Sequence, residues 1–156
     1  MKSMIVCKSI HHGNTEKVAF RIARSLKAEV TGPEDVDLDT LGTYDLVGFG
    51  SGIYGEKHHE SLLDLADDLH PVAGKDAFIF STSAIMGKGK VAKDHSFLRE
   101  KLVSRGYIIV DEFSCKGFNT NSFLKFFGGM NKGRPNADDL RKAEDFAIKI
   151  KMNSMN

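Results

Sequence analysis

Residues 4–26 read MIVCKSIHHGNTEKVAFRIARSL, and the organisation of the whole chain can be worked out from this stretch. Its first four residues are continuously apolar, which predicts a short strand covered on both faces. Residues 15–26 follow with Val18, Ile22 and Leu26 on one face, the spacing of an amphipathic helix. A polar loop that contains one glycine joins the two. The stretch is therefore predicted to be a strand–loop–helix unit.

The same kind of unit recurs along the chain. Further apolar runs cover residues 29–30, 46–49, 77–80 and 107–110, and amphipathic segments cover 61–69, 97–102 and 136–151. Strands that alternate with helices predict a parallel sheet with right-handed crossovers and helices on both faces. We expect an α/β fold with a doubly wound, five-stranded sheet in the order 2-1-3-4-5, and a single domain over residues 1–156.

Composition and charge exclude several classes of protein. The chain has 156 residues, of which 41% are hydrophobic and 28% charged, as expected of a folded domain. Lys and Arg number 22 against 21 for Asp and Glu, so charge gives no argument for binding nucleic acid or an anionic membrane. No apolar run approaches the roughly 18 residues of a membrane span, and the N-terminus does not resemble a signal peptide. We expect a cytoplasmic protein.

The two cysteines, Cys7 and Cys115, form no CxxC motif, which favours a reduced protein without a cysteine metal site. In the predicted strand order they lie three strand spacings apart, roughly 14 Å, too far for a disulfide. The adjacent His58 and His59 cannot both face one metal from a helix, so we expect them to be solvated or at the rim of a ligand site. The sequence supports no Ser-His-Asp or Cys-His catalytic arrangement and no metal site.

In a doubly wound sheet the ligand lies beyond the carboxyl ends of the strands, so the loops after strands 1, 3 and 4 should carry function. The first loop, residues 9–15, leads into a helix, whose N-terminal N–H groups suit a phosphate. Gly13 allows a close backbone approach there. The alternative is an ordinary turn with Asn14 or Thr15 as N-cap. The neighbouring histidines, His11 and His12, either donate to the phosphate or are solvated.

The second loop, residues 50–55, reads GSGIYG and matches the dinucleotide pattern GxGxxG. That pattern belongs after the first strand of a Rossmann fold, so we reject this interpretation. We predict instead a mobile loop that offers backbone amides and the ring of Tyr54; the alternative is a partly packed surface tyrosine. The third loop, residues 81–90, is small and polar and then basic, and its alternative is a flexible connector.

At these loops the sequence resembles the flavodoxin family. Residues 5–9 followed by Gly13-Asn14-Thr15-Glu16 are similar to the family's first strand and its Gly-Asn-Thr-Glu motif. The chain departs from the family pattern at Cys7, where an aromatic is usual, and in having no Trp. It also has three residues between Ser9 and Gly13 where two are usual, so either the phosphate loop is one residue longer or Ile10 replaces the usual hydroxyl and Ser9 is displaced. The resemblance implies FMN as cofactor, contacted by Ser9, His11, His12, Gly13, Asn14, Thr15, Ser51, Gly52, Ile53, Tyr54, Gly55, Ser81, Thr82, Ser83, Met86 and Gly87.

The resemblance implies an electron carrier that passes electrons between redox partner proteins, one a donor and one an acceptor. The alternative is a small NAD(P)H-dependent flavin or quinone reductase, or a flavodoxin-like oxidase. A flavin-free signalling domain of similar fold is disfavoured because strand 1 lacks an acidic cluster. The long connector at residues 115–135 is predicted to be a flap packed on its own domain or, alternatively, a docking or dimer surface.

Overall fold

The computed structural model describes residues 1–10, 12–87, 89–118 and 129–156. Residues 119–128 of the predicted connector at 115–135 lie outside these residues, as does His11. Strands and helices alternate along the chain as β1 (Ser3–Lys8), α1 (Asn14–Leu26), β2 (Glu29–Thr31), α2 (Leu38–Leu41), β3 (Leu46–Tyr54), β4 (Lys57–His58), α3 (Glu60–Asp68), β5 (Lys75–Ser83), α4 (Lys90–Asp94), α5 (Ser96–Ser104), β6 (Tyr107–Lys116) and α6 (Ala137–Ser154).

The sheet has the predicted doubly wound topology. Its main path runs β2-β1-β3-β5-β6, and each neighbouring pair is parallel. This confirms the order 2-1-3-4-5 for the five strands expected from the sequence. The number of strands differs because β4 is an additional two-residue strand, paired antiparallel with the end of β3.

The additional strand arises from a tight turn. Gly55 and Glu56 have φ angles of +58° and +64°, and they connect the paired residues Tyr54 and Lys57. Two consecutive residues with positive φ form the type I′ turn that suits the twist of a two-residue hairpin. The segment that we predicted to be a mobile loop is therefore a β-hairpin, which fixes the position of Tyr54 relative to the sheet.

Two layers of helices cover the sheet. On one face α1 and α6 pack together and bury Val18, Ile22 and Ile150. On the other face α3 and α5 bury Leu62 and Leu98, among others. Burying side chains of this size contributes about 1.5–3 kcal/mol each, so these layers supply most of the driving force for folding. Among the described residues, none of the helices combines the length and the apolar character needed to cross a bilayer.

Local signals define where the helices begin and end. The Asn136 side chain accepts from the Asp139 N–H, and the Asp139 carboxylate accepts from the Asn136 N–H, so a complete capping box begins α6. At the end of α5, Gly106 has a φ of +92°. A Cβ at this glycine would lie 1.8 Å from the Val72 carbonyl oxygen, so no larger residue fits there.

Both cysteines are free, as predicted from the strand order. Burial, and secondarily the Glu16 carboxylate, raises the pKa of the Cys7 thiol to about 12. Burial, and secondarily Asp139, raises the pKa of the Cys115 thiol to about 12. Because the thiolate is the reactive form, neither cysteine is set up as a nucleophile in the folded protein.

Two glycines in β3 make room for two aromatic rings in β5. Gly48 is paired with Phe78, and Gly50 with Phe80. A Cβ built on Gly48 would lie 2.2 Å from the Phe78 ring, and one on Gly50 would lie 2.4 Å from the Phe80 ring. Each ring therefore covers a neighbouring backbone that carries no side chain. Phe78 also meets Phe146 of α6 edge to face, with ring centroids 5.7 Å apart.

The packing of the Phe80 ring over Gly50 predicts that a side chain at Gly50 lowers the stability of the protein. We expect Gly50→Ala to lower the free energy of unfolding by about 1–3 kcal/mol, because the methyl group displaces the Phe80 ring from a packed core. Gly42→Ala is the matched control, since Gly42 has helical backbone angles and its Cβ would meet only Val72, at 3.8 Å. Denaturant unfolding of both variants measures the difference. Equal stability of the two variants would contradict the packing described here.

Candidate functional site

A cleft lies at the carboxyl ends of the strands. Its volume is about 410 Å³ when the space open to solvent is included. Four segments of the chain line it: Ser9, Ile10, Asn14 and Thr15 after β1; Gly52, Ile53 and Tyr54 at the end of β3; Thr82, Ser83 and Ala84 at the end of β5; and Gly117 and Phe118 after β6.

The strand register explains why these segments meet. Lys8 of β1 is paired with Ser51 of β3, Ser51 with Ser81 of β5, and Ser81 with Ser114 of β6. The four strands therefore end at the same edge of the sheet. Each contributes its next residues to the cleft, at the point where the strand order reverses between β1 and β3.

The first wall of the cleft is the N-terminus of α1. Gly13 precedes the helix with a φ of +63° and makes no side-chain cap. The Ser9 hydroxyl instead accepts from the Glu16 N–H at 3.2 Å. Asn14 and Thr15 are buried in the first turn. A helix start without a side-chain cap at its first residue is suited to an anion, because its N–H groups and dipole both favour negative charge.

Thr15 connects the N-terminus of α1 to the wall formed by the end of β5. Its hydroxyl lies 2.8 Å from the Thr82 hydroxyl at the end of β5, and both side chains are buried. Thr82 points to the α1 face of the sheet because side chains alternate along a strand. This hydrogen bond fixes the distance between the helix start and β5.

The wall formed by Gly117 and Phe118 after β6 was not predicted from the sequence. The Asn14 side-chain N–H donates to the Phe118 carbonyl at 2.8 Å, and the Phe118 ring lies 4.3 Å from that of His12. The Gly117 N–H donates to the Ser83 carbonyl at 3.0 Å. A Cβ at Gly117 would lie 2.7 Å from the Asn14 amide nitrogen, so the glycine allows this close approach. In the sequence, the only signal for this wall was the unusual length of the connector that follows β6.

The β3–β4 hairpin with Tyr54 forms the remaining wall of the cleft. The Tyr54 ring meets the His59 ring edge to face, with centroids 5.4 Å apart. A Cβ on Gly52 would lie 2.9 Å from the Tyr54 hydroxyl oxygen, so Tyr54 lies back over a glycine. Burial, and secondarily the Cys7 thiol, raises the pKa of the Tyr54 phenol. The side chain is therefore a neutral ring at the cleft wall.

The structure brings half of the predicted cofactor residues to the cleft. Those that line it are Ser9, Asn14, Thr15, Gly52, Ile53, Tyr54, Thr82 and Ser83. Those that are described but do not line it are His12, Gly13, Ser51, Gly55, Ser81, Met86 and Gly87. Gly13 and Gly55 serve as turn residues with positive φ, and His12 packs against Phe118.

Ser51 and Ser81 have their hydroxyls inside the protein. Ser51 donates to the Gly52 carbonyl at 2.7 Å and accepts from the His59 N–H at 2.9 Å. Ser81 lies 2.7 Å from the Nε2 atom of His95, and only 1% of it is exposed. Ser81 precedes Thr82 in β5, and Ser51 is the residue paired with Ser81 in β3. Side chains alternate along a strand, so both serines point to the face opposite Thr82, which α3 and α5 cover.

A buried polar cluster lies on this second face. His58 is 1% exposed, which makes our expectation of a solvated or rim histidine wrong. His95 lies between Ser81 and Glu112, with Nδ1 2.8 Å from a Glu112 oxygen, and Arg99 donates to both Glu112 oxygens. Burial alone would raise the Glu112 pKa, but hydrogen bonds from His95 and Arg99 outweigh it and lower that pKa to about 2.

Ser81, His95 and Glu112 have the connectivity of a Ser-His-acid triad, which the sequence did not reveal because they are spread over β5, the α4–α5 junction and β6. Ser81 is buried, however, so no substrate carbonyl can reach its hydroxyl. Within the described parts of the chain, no group of three or more His, Cys, Asp or Glu side chains could hold a metal ion. The Ser81–His95–Glu112 arrangement therefore does not supply a catalytic site.

Comparison with known proteins identifies the family. The family model described as a flavodoxin domain matches residues 4–130. This chain belongs to the flavodoxin-domain family. A protein of Methanocaldococcus jannaschii, described as uncharacterised, is 46% identical over 153 residues and covers 98% of this chain and 100% of its own length. The fold and the family together indicate a flavodoxin-type protein.

Solved structures of flavodoxins share the fold. A flavodoxin from the domain Archaea superposes with a TM-score of 0.70 at 19% identity and covers 100% of both chains. Oxidised Flavodoxin 2 from Bacillus cereus superposes with a TM-score of 0.73 at 22% identity and covers 98% of this chain and 99% of its own. At these identities the likeness concerns the flavodoxin fold and not the residues of the cleft.

The buried His58 predicts a dependence of stability on pH. Burial, and secondarily the neighbouring His95, lowers the pKa of His58 to about 3. In the unfolded chain a histidine takes up its proton near pH 6.5. The unfolded state therefore binds more protons below pH 6.5, and the stability that is present above this pH is lost as the pH falls. The slope for one proton is at most about 1.4 kcal/mol per pH unit.

Denaturant unfolding between pH 7 and pH 5 measures this slope. We expect His58→Gln to flatten it, because glutamine does not titrate. His70→Gln is the control, since His70 is 56% exposed at its side chain. The same slope in wild type and in His58→Gln would show that His58 does not make the protein sensitive to acid.

Proposed function

We propose that this protein binds FMN in the cleft and carries electrons between larger redox proteins. The observation that supports this most is the joint presence of two features at one cleft. The N-terminus of α1 suits a phosphate, and the β3–β4 hairpin offers the Tyr54 ring. A flavin mononucleotide has a phosphate at one end and a planar ring system at the other.

The residues of the cleft fit the chemical groups of FMN. The first turn of α1 and the hydroxyl of Thr15 are suited to bind the phosphate oxygens. The Oδ1 atom of Asn14 is buried and has no hydrogen-bond partner among the described residues. Buried polar atoms are normally paired, and the ribityl hydroxyls of FMN are donors that could satisfy this acceptor. A ligand with a phosphate and several hydroxyls is therefore the chemical class that we propose.

The flavin, when bound, supplies the one-electron chemistry. The protein's own residues bind, orient and cover it. Asn14 and Thr15 hold one end, and Tyr54 provides an aromatic surface at the other. Thr82, which is hydrogen-bonded to Thr15, fixes the start of α1 relative to β5.

The rim of the cleft favours a carrier over an enzyme. Ile10 lines the cleft and Ile85 follows Ala84, another lining residue, and their side chains are 47% and 58% exposed. Exposed apolar residues beside a cofactor site are typical of contacts with partner proteins. The arrangement that most resembles a catalytic group, Ser81-His95-Glu112, is buried on the other face of the sheet.

The binding half of the proposal is tested by comparing two flavins. We expect FMN to bind at least about 100-fold more tightly than riboflavin, because the loss of several charge-assisted hydrogen bonds of about 1.5–3 kcal/mol each costs orders of magnitude in affinity. Thr15→Ala should weaken FMN by about 10- to 100-fold and leave riboflavin nearly unchanged. Fluorescence titrations of the cofactor-free protein give both constants.

Thr82→Ala is the matched control, because it removes the Thr15–Thr82 hydrogen bond from the other side. We expect this variant to keep most of the preference for FMN over riboflavin. If wild type bound the two flavins equally, the phosphate assignment would be wrong.

The electron-transfer half is tested with NADPH. We expect the FMN-loaded protein to remain yellow under anaerobic NADPH alone and to bleach only when a flavoprotein reductase is added. A stopped-flow absorbance trace records both cases. Bleaching by NADPH alone at turnover rates would favour the reductase over the carrier.

A further inference from the structure

Two buried histidines lie beneath the parts of the chain that flank the cleft. His58 ends the β3–β4 hairpin, and His95 lies between α4 and α5. They are 1% and 0% exposed, and their ring centroids are 4.8 Å apart with an interplanar angle of 47°. The two imidazoles are therefore in contact, although 36 residues separate them in the sequence.

His58 attaches the hairpin to the sheet. Its Nε2 atom lies 3.1 Å from the Phe80 carbonyl of β5. A carbonyl only accepts, so Nε2 carries the proton and donates it. His58 is also the residue paired with Ile53, one of the residues that line the cleft. This hydrogen bond holds the hairpin with Tyr54 against the neighbouring strand.

His95 attaches the segment that follows β5. The Glu112 carboxylate accepts from Nδ1, so in the neutral ring Nε2 accepts from the Ser81 hydroxyl. The Ser114 hydroxyl lies 2.8 Å from the Ser81 hydroxyl and 3.4 Å from the Met86 sulfur, and its single proton is donated to one of the two at a time. A chain of polar contacts thus runs from Glu112 to Met86, which lies in the segment 84–87.

The buried histidine cluster contains directed hydrogen bonds that packing of the core alone would not require. Buried polar groups lose their hydration, and apolar side chains of similar volume would often stabilise a core equally well. Hydrogen bonds, unlike apolar contacts, have defined directions and fix one arrangement of the groups they connect. Here both ring nitrogens of His95 are engaged, and Arg99 fixes the far side of Glu112.

We propose that His58 and His95 are positioning residues that hold the β3–β4 hairpin and the segment 84–87 in one fixed arrangement before the flavin binds. This rests on the proposed function, since these two segments flank the place assigned to the ring of FMN. The histidines contact no ligand. They act by removing the freedom that the two segments would otherwise lose on binding, which is the general basis of preorganisation.

Three variants test the proposal at increasing severity. Ser114→Ala removes the contacts of Ser114 with Ser81 and Met86, His95→Gln keeps some hydrogen bonding, and His95→Phe keeps ring volume but removes the hydrogen bonds to Ser81 and Glu112. Ser104→Ala is the control, because its hydroxyl bonds to the Lys101 carbonyl on an exposed part of α5.

The first measurement is amide hydrogen exchange in the cofactor-free protein. We expect His95→Phe to raise exchange about 10-fold both at residues 52–58 and at 84–87, although polar contacts through Ser81 and Ser114 connect His95 only to the second segment. Ser114→Ala should affect 84–87 alone, His95→Gln should fall between wild type and His95→Phe, and Ser104→Ala should match wild type. Unchanged exchange in both segments, or a uniform rise over the sheet, would overturn the proposal. This result does not depend on whether the protein binds FMN.

The second measurement is flavin affinity. We expect His95→Phe to weaken FMN and riboflavin by the same factor, about 10-fold, whereas Thr15→Ala affects FMN alone. Partial recovery in His95→Gln is also expected. A lower unfolding midpoint with unchanged affinity for both flavins would show a merely structural role and contradict the proposal. If wild type bound neither flavin, the proposed function would fail, and hydrogen exchange alone would decide whether the histidines position the two segments.

Discussion

The parallel register of β1, β3, β5 and β6 is the constraint on which the site depends. One row of paired residues crosses all four strands, from Lys8 through Ser51 and Ser81 to Ser114. The strands therefore end together, and the residues beyond them can form one cleft. A slip of one residue in β5 would exchange its two faces, moving Thr82 away from Thr15 and Ser81 away from His95. The glycines of β3 keep this register close-packed, because the rings of Phe78 and Phe80 fit only where no Cβ is present.

Side chains alternate between the two faces of the sheet along β5, so this strand contributes to a different part of the site on each face. Thr82 faces α1 and joins the end of the cleft that suits a phosphate. Ser81 faces α5 and joins the buried histidine cluster. One strand thus connects the group that would bind the cofactor with the group proposed to position the segments around it. The two halves can be changed separately by mutation, since the side chains lie on opposite faces.

The sequence predicted the strand order and the three loops because these depend on local patterns. Apolar runs, helical spacing and a glycine before Asn14-Thr15 are all contained within short windows. Contacts between distant residues were not predictable in the same way. The Asn14–Phe118 hydrogen bond spans 104 residues, and the Ser81–His95–Glu112 chain draws on three separate elements. His58 was misjudged because the sequence analysis considered it as part of a helix, whereas it belongs to β4 and its side chain is buried. The burial of Ser51 and Ser81 was accessible in principle, since strict alternation along a strand assigns each residue to a face.

Four segments that are distant in sequence form one cleft at the edge of the sheet, which we propose to be a flavin site. A titration of isotope-labelled protein with FMN, followed by two-dimensional NMR of the backbone amides, tests this proposal. We expect the amides of Asn14–Thr15, Gly52–Tyr54, Thr82–Ala84 and Gly117–Phe118 to shift together with a single dissociation constant. Shifts confined to another part of the surface, or no shifts at saturating FMN, would show that the cleft is not the flavin site.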